Sequence, residues 1–310
     1  ETVDCEILVI GAGVGGLVTA TSAVEEGADV VLIASSDGPV SRGGSNAAFN
    51  TRLTHELGMD YTREEIEPIF QDIFAANSFR LDQDKWWLVY DESGNAMNWL
   101  MDKVEPYGIT AVIENNQQDG GKNWWDGGPL KTLNVSHSFV AEGAQAAGAS
   151  QQIVVEALAE EIQKGGGRIF YNTTAAQLDR ENDNTGRVTG CVAKAGGKYT
   201  RYNASKGVVL ATGDFSQDKD MVAKYCPIAL PFGNGGVYDG SGLKLALWIG
   251  AAWQKYTPNA PMLAAMGDEV LPCRWWAEGA LTTFPGLLVN NKGVRYSNEN
   301  CAYGYMPYPQ

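Results

Sequence analysis

The fold of this chain is decided near its beginning by residues 5–27, which read CEILVIGAGVGGLVTATSAVEEG. A short β-rich run over 5–10 is broken by the glycine-rich turn 11–16, and 17–26 then has the apolar spacing of a helix. A second buried strand is predicted over 30–33. Strand, helix and strand in this order form a βαβ unit, which predicts an α/β fold built on a parallel sheet.

The turn carries a Gly-x-Gly-x-x-Gly pattern at Gly11, Gly13 and Gly16, between the first strand and the helix. In dinucleotide-binding sites the first glycine allows a tight turn, the second lets a pyrophosphate approach, and the third packs the helix against the strand. The phosphates then face the helix N-terminus, where free N–H groups and the helix dipole favour an anion. The position of the pattern predicts a dinucleotide ligand, with simple turn formation as the alternative.

One element of the dinucleotide pattern is missing. An acidic residue that bonds the ribose hydroxyls is expected at the end of the second strand, but that place is held by Ala34. Ser35, Ser36 and Asp37 follow it, and Ser35 or Asp37 can substitute from the loop. We count Ser35 and Ser36 among the cofactor-binding residues. An NAD(P)-binding dehydrogenase stays open as one hypothesis.

Composition excludes several other classes of protein. The 310 residues carry 23 Lys+Arg and 37 Asp+Glu, a net charge of −14 that repels phosphate backbones, so we predict no nucleic-acid partner. No apolar run approaches the ~20 residues of a membrane span. Five scattered cysteines and two histidines indicate neither a disulfide framework nor a metal site. Localisation stays open between the cytoplasm and export after loss of a leader.

The later part of the chain changes character. Ser150 is predicted to cap a helix, and 206–213 is predicted to be a buried strand that runs into a glycine. Residues 251–310 have clustered Trp and Pro and no long periodic helix. We therefore predict a first domain over 1–250 and a second, smaller one over 251–310.

Three further motifs follow the glycine pattern along the chain. They read SRGGSNAA at 41–48, KGVVLATGD at 206–214 and YDGSG at 238–242. In this order and spacing they resemble the flavoprotein subunit family of fumarate reductase and succinate dehydrogenase. The resemblance extends to soluble fumarate and urocanate reductases and to 3-ketosteroid dehydrogenases, and it runs from residue 5 to about residue 305.

The resemblance implies a Rossmann-like FAD-binding domain followed by the start of an α+β substrate-capping domain. It implies FAD contacts from the glycine turn, the loops after the second strand, and later strand ends and turns. With the two serines above, these residues are Gly11, Gly13, Gly15, Gly16, Ser35, Ser36, Gly43, Gly44, Ser45, Asn46, Ala175, Thr212, Gly213, Asp214 and Asp239. Many relatives have glycine where this chain has Asp214. For Asp214 and Asp239, turn stabilisation is the alternative.

The resemblance also bears on how FAD is held. Membrane-bound relatives attach FAD through a histidine upstream of the double glycine, at or beside the position of Asp37. No histidine lies between Gly27 and Gly44. We therefore expect non-covalent FAD.

Catalysis in the resembled family is hydride transfer through flavin N5, with a protein group handling the second proton. Fumarate reductases have an arginine donor eight residues after the position of Arg295, and this chain has Tyr303 there. Ketosteroid dehydrogenases carry a tyrosine at that point. We predict Tyr303 as the proton-handling residue, with aromatic packing as its alternative. Arg295 and His137 are further catalytic candidates, although His137 is also typical of a satisfied polar residue.

The substrate is expected to be an uncharged unsaturated compound. Residues 251–310 contain no histidine and only two arginines, Arg274 and Arg295, whereas a dicarboxylate is bound by charge-assisted pairs. Large apolar side chains offer either a pocket or a core: Trp253, Met262, Met266, Trp275, Trp276 and Phe284. An enone, 3-ketosteroid-like or otherwise, is the first hypothesis. A fumarate- or urocanate-type reductase and an FAD-binding electron-transfer subunit are the alternatives.

The resemblance implies partners that the sequence does not contain. No haem Cys-x-x-Cys-His pattern and no covalent FMN attachment sequence is present, so an electron donor or acceptor is expected from another chain or domain. Relatives return to the FAD domain after the substrate domain. This sequence stops at Gln310 within the substrate domain, so we expect it to be part of a longer protein.

Overall fold

The computed structural model of the protein describes residues 1–41, 46–76, 78–113, 133, 135–144, 150–227, 238–253, 289 and 291–295. The chain divides into two compact units. The first comprises Glu1–Ile66 and Gln83–Thr212, and the second comprises Glu67–Asp82 and Gly213–Gln310. The domain boundary near residue 250 stays a prediction, because most of residues 251–310 lie outside the described part.

The described strands all belong to the first unit. In chain order they are β1 Thr2–Ile10, β2 Val30–Ile33, β3 Asn46–Ala47, β4 Ile109–Ile113, β5 Ser136–Ala141, β6 Arg168–Phe170, β7 Thr174–Arg180, β8 Val188–Ala195 and β9 Lys198–Leu210. Six of them form one sheet in the order β6-β2-β1-β9-β8-β7. The strands β6, β2, β1 and β9 run parallel, and β7, β8 and β9 are joined antiparallel. The predicted α/β fold with a parallel sheet is confirmed.

The helices are α1 Val14–Glu25, α2 Arg52–Glu56, α3 Arg63–Ala76, α4 Gln83–Val104, α5 Gln151–Lys164, α6 Glu181–Asn184, α7 Lys219–Tyr225 and α8 Ser241–Trp248, with one 3-10 turn at Glu105–Tyr107. The α6 turn contains Asn182 and Asp183 at positive φ. A second sheet of the first unit is antiparallel, in the order β3-β5-β4. In the part of the chain that the structure describes, no helix is long and apolar enough to cross a membrane.

The core of the first unit lies between the parallel sheet and helices α1, α4 and α5. All four residues of β2 are fully buried, as expected for a central parallel strand covered on both faces. Leu17 of α1 and Leu158 of α5 belong to the same buried cluster. Helices α1 and α5 therefore pack against the same core within the first unit.

The second unit has a smaller aromatic cluster. Phe215, Met221 and Val222 are buried there, and the rings of Tyr225 and Trp253 stack 4.1 Å apart at 8°. Asp218 caps α7 by accepting the Met221 N–H at 2.8 Å, and it also pairs with Lys244 of α8. The cluster and the ion pair hold α7 and α8 together.

Candidate functional site

The glycine turn brings backbone to backbone so closely that side chains are excluded at two positions. Gly11 has φ +119°, and a Cβ on it would lie 2.2 Å from the Ala211 carbonyl oxygen at the end of β9. A Cβ on Gly16 would lie 1.9 Å from the Gly11 carbonyl oxygen. The first glycine therefore allows the turn beside β9, and the third lets α1 begin directly on it.

The middle of the turn is open. Gly13 is the N-cap of α1, and an added Cβ there meets none of the described residues within 4 Å; the same holds for Gly15. No side chain caps this helix end, and its first turn contains no acidic residue. The N-terminus of α1 thus presents unshielded N–H groups and a favourable dipole toward an open approach. The turn Gly11–Gly16 and the N-terminus of α1 together form a glycine cradle that fits the pyrophosphate of a dinucleotide.

The loop after β2 begins beside the glycine turn, because Gly11 donates its N–H to the Ile33 carbonyl at 2.8 Å. Thr173 donates its N–H to the Ala34 carbonyl at 2.8 Å, and Asn172 donates its N–H to the Ser36 carbonyl at 2.8 Å. The Ser36 hydroxyl donates to the Gly38 carbonyl at 2.7 Å, whereas Ser35 is exposed. These bonds bring Ser35 and Ser36 to the entrance of β7, where Ala175 lies half-buried.

Residues 39–41 lie beside the glycine turn, and two glutamines that the sequence reasoning missed contact these residues and Asn46. Val40 donates its N–H to the Ala12 carbonyl of the glycine turn at 3.0 Å. The Gln152 amide donates to the Pro39 carbonyl at 3.0 Å and accepts from the Ser41 N–H at 3.2 Å. Gln151 Oε1 accepts from Asn46 Nδ2 at 2.9 Å. The predicted contacts Gly43, Gly44 and Ser45 lie outside the described residues.

Thr212 ends the first unit, and Gly213 begins the second. Gly213 has φ +79°, and a Cβ there would lie 2.7 Å from the Tyr238 ring, another residue that the sequence reasoning missed. Asp214 Oδ1 accepts the Ser216 N–H at 2.9 Å. This contact has the form of the turn stabilisation that was the alternative for Asp214. A cofactor role for Thr212, Gly213 and Asp214 stays a prediction.

Asp239 lies just before α8. Its Oδ1 accepts the Ser241 N–H at 2.9 Å. Hydrogen bonds from the Ser241 side chain and backbone lower the pKa of Asp239 below its ordinary value, so the carboxylate is held in its charged form. These contacts support the alternative of turn stabilisation, and cofactor binding by Asp239 stays a prediction.

His137, a catalytic candidate, is completely buried in β5. Its Nδ1 lies 3.0 Å from the Val135 carbonyl, so Nδ1 carries the hydrogen and donates it. Nε2 then accepts from the Thr51 hydroxyl at 2.8 Å, and that hydroxyl accepts the Thr54 N–H at 3.1 Å. Burial lowers the pKa of His137 below its ordinary value. With no exposed surface and both ring nitrogens hydrogen-bonded, His137 has the environment of the satisfied polar residue that was its alternative, and a catalytic role for it stays a prediction.

The remaining catalytic candidates are not brought together by the described residues. Arg295 is exposed and pairs with Val289 in an isolated antiparallel bridge of the second unit. Tyr303 lies outside the described residues. The proton-handling role of Tyr303 and any role of Arg295 therefore stay predictions.

The family follows from the fold, the cradle and a sequence match together. The chain belongs to the FAD binding domain family, whose model matches residues 6–305. FAD, rather than a nicotinamide dinucleotide, is the cofactor that this membership indicates. The resemblance that was drawn from the motifs is confirmed.

Among similar proteins are reductases of two kinds. Vinyl phenol reductase of Lactiplantibacillus plantarum is 26% identical over 97% of this chain and 57% of its own length. Fumarate reductase (cytochrome) of Shewanella frigidimarina is 26% identical over 96% of this chain and 48% of its own length. The chain thus spans about half the length of these relatives.

A solved structure shares the fold. The 3-ketosteroid-Δ4-(5α)-dehydrogenase of Rhodococcus jostii RHA1, solved with 4-androstene-3,17-dione, superposes with a TM-score of 0.70 at 22% identity. The match covers 97% of this chain and 62% of the dehydrogenase.

Proposed function

We propose that this chain is the FAD-binding part of an oxidoreductase that reduces or desaturates an activated carbon–carbon bond. The observation that carries the proposal is the glycine cradle, open at Gly13 and closed to side chains at Gly11 and Gly16. Family membership supports FAD as its ligand. Vinyl phenol and fumarate, which name two relatives, both contain a carbon–carbon double bond.

The residues of the chain would bind and orient the cofactor and handle the proton, while the cofactor would supply the redox chemistry. Bound FAD supplies hydride transfer at flavin N5. The turn at Gly11–Gly16 and the N-terminus of α1 would bind and orient the pyrophosphate, while residues 39–41 are held against the turn by Val40 and by Gln152 of α5. Tyr303 is proposed to give or take the proton at its phenol oxygen. With an ordinary tyrosine pKa of ~10, this needs a site that stabilises the phenolate or shares its proton.

For the substrate we propose an uncharged conjugated compound, such as an enone. The absence of histidine and the presence of only two arginines in residues 251–310 support this, because a dicarboxylate needs charged partners. The similarity to a vinyl phenol reductase agrees with an uncharged substrate. The similarity to fumarate reductase favours the second candidate, an unsaturated carboxylate.

Turnover of the whole protein separates these candidates. With a reduced dye as electron donor under anaerobic conditions, we expect consumption of an enone such as 4-androstene-3,17-dione or of a vinyl phenol, and little consumption of fumarate. The reverse preference would move the proposal to the carboxylate class. FAD binding without turnover of any of them would support an electron-transfer subunit instead.

Tyr303→Phe tests the proton step, with Tyr305→Phe as the matched control from the same segment. Loss of the Tyr303 hydroxyl is expected to lower kcat by about 10²–10⁴, the usual size of a general acid–base contribution, with FAD content unchanged. Tyr305→Phe should keep kcat within a few-fold of the parent. Equal activities of the two variants would show that Tyr303 only packs.

The FAD is proposed to be non-covalent. Acid precipitation of the loaded protein should release all flavin into the supernatant, because no histidine is available between Gly27 and Gly44. Flavin that stays with the precipitated protein after washing would contradict this.

A further inference from the structure

The first residue of α5 has a buried hydrogen-bond donor that no group of the described residues satisfies. Gln151 is only 6% exposed, and within the described part of the chain its Nε2 has no hydrogen-bond partner. Its Oε1 is used, because Asn46 Nδ2 donates to it at 2.9 Å. This bond occupies the acceptor of the amide and leaves both N–H groups of Nε2 available. Buried amide donors are almost always paired, so an unpaired one calls for a partner outside the described residues, either a ligand or an ordered water.

The contacts of the neighbouring residues place Gln151 near the glycine cradle. The neighbouring Gln152 bonds both Pro39 and Ser41, and Val40 between them bonds Ala12 of the glycine turn. The start of α5 therefore contacts residues 39–41, and Val40 of these residues contacts the glycine turn directly. The Ser150 hydroxyl does not cap α5, and the first turn has no acidic residue, so this helix end also favours an electron-rich partner.

We propose that Gln151 donates an amide N–H to the isoalloxazine ring of FAD and helps to set its reduction potential. The ring has carbonyl oxygens and ring nitrogens that accept hydrogen bonds, and reduction makes them more electron-rich. A donor at this position stabilises the reduced ring more than the oxidised ring. The proposal rests on FAD binding by the chain, but not on the identity of the substrate.

Two substitutions remove the donor in different ways. Gln151→Met has similar length and no donor, and Gln151→Glu keeps the acceptor for Asn46 but replaces the donor with a carboxylate. We expect Gln151→Met to weaken FAD binding by about 3–10-fold, the value of one hydrogen bond. Its reduction potential should become more negative. The apoprotein should melt at the same or a higher temperature, because an unsatisfied buried amide is removed.

The effect of Gln151→Glu on FAD affinity and on the reduction potential should depend on pH. At about pH 9 the carboxylate repels the reduced ring, so FAD should bind more weakly and its potential should fall further than in Gln151→Met. Because burial raises the pKa of a carboxyl group, the carboxyl should take up a proton as the pH falls to about 5.5 and regain an O–H donor, and both properties should then return toward those of the parent. Gln163→Glu is the matched control, because Gln163 is exposed near the other end of the same helix. It should match the parent at both pH values.

The measurements are FAD titration followed by flavin fluorescence, spectroelectrochemical titration of the bound flavin, and thermal melting of the apoprotein. Parent-like affinity and potential in both Gln151 variants would overturn the inference alone. Weaker affinity with an unchanged potential would also overturn it, because the ring is then not the partner. Failure of both variants to fold would show a structural amide and overturn it as well. A parent that binds no FAD would overturn the inference together with the proposed function.

Discussion

Gly13→Ala should separate folding of the chain from binding of FAD. Gly13 has φ −81° and ψ 177°, an extended conformation that alanine adopts without strain, and an added Cβ meets none of the described residues within 4 Å. Alanine is a slightly poorer N-cap than glycine, but it also restricts the unfolded chain, and these opposing effects are each about 0.5–1 kcal/mol. We therefore expect the free energy of unfolding of the apoprotein to change by less than about 1 kcal/mol.

The methyl group stands where the pyrophosphate must approach. If it displaces the phosphates from two N–H groups at the start of α1, the loss is about 3 kcal/mol, at about 1.5 kcal/mol for each hydrogen bond to a charged group. That loss corresponds to about a 100-fold increase in the Kd for FAD.

Two further alanine variants make the comparison specific. Gly16→Ala places its Cβ 1.9 Å from the Gly11 carbonyl oxygen, which is backbone that cannot move without separating α1 from β1. It should destabilise the apoprotein itself by about 3 kcal/mol or more. Gly207→Ala lies within β9, has open space around its Cβ and should change neither stability nor binding measurably.

The assay is FAD titration by flavin fluorescence, together with urea unfolding of each apoprotein. If Gly13→Ala binds FAD within about three-fold of the parent, the open space at Gly13 is not the path of the pyrophosphate.

Three other predictions concern the first unit. Thr51→Val removes both the cap of α2 and the donor to His137 Nε2, so it should lower the free energy of unfolding in urea by about 2–3 kcal/mol. Thr51→Ser keeps the hydroxyl and should lower it by less than about 1 kcal/mol. Equal losses in the two variants would contradict a hydroxyl that makes both hydrogen bonds. Because burial lowers the pKa of His137, the unfolded chain binds the proton first as pH falls. The contribution of neutral His137 to the free energy of unfolding is therefore complete above the unfolded pKa of ~6.5 and is lost below it, by at most about 1.4 kcal/mol per pH unit. An NMR titration of His137 with a midpoint at or above the ordinary value would contradict this. Burial raises the pKa of Cys5 and of Cys191 to about 11, so neither thiol should react with iodoacetamide at about pH 8 until the protein unfolds; mass spectrometry of the labelled sites decides it.

The local part of the fold could be predicted because neighbouring residues determine it. The apolar run of β1, the glycine turn and the spacing of α1 all act within 27 residues, and β2 begins and ends where the pattern predicts, at Val30 and Ile33. The steric need for Gly11 and Gly16 also follows from the motif, and the distances to Ala211 and Gly11 give its cause. The buried strand predicted over 206–213 is only partly correct: β9 ends at Leu210, and its residues 207–210 are half-buried rather than buried.

The contacts around the cradle could not be predicted in the same way. Asn46 and Gln151 are 105 residues apart, and nothing in either local pattern indicates that their amides meet. The unpaired Nε2 of Gln151 becomes visible only after the chain has packed. Likewise, His137 looked like a catalytic candidate from its residue type, whereas its burial and its bond to Thr51 depend on how β5 packs.

FAD loading of the parent chain is the most direct test of whether its glycine turn binds the cofactor. After incubation with FAD and removal of free cofactor, we expect equimolar bound flavin that shows the visible absorption bands of the oxidised ring and is reduced by dithionite. A colourless protein that neither retains FAD nor quenches its fluorescence would contradict the claim that the glycine cradle of this chain holds the cofactor.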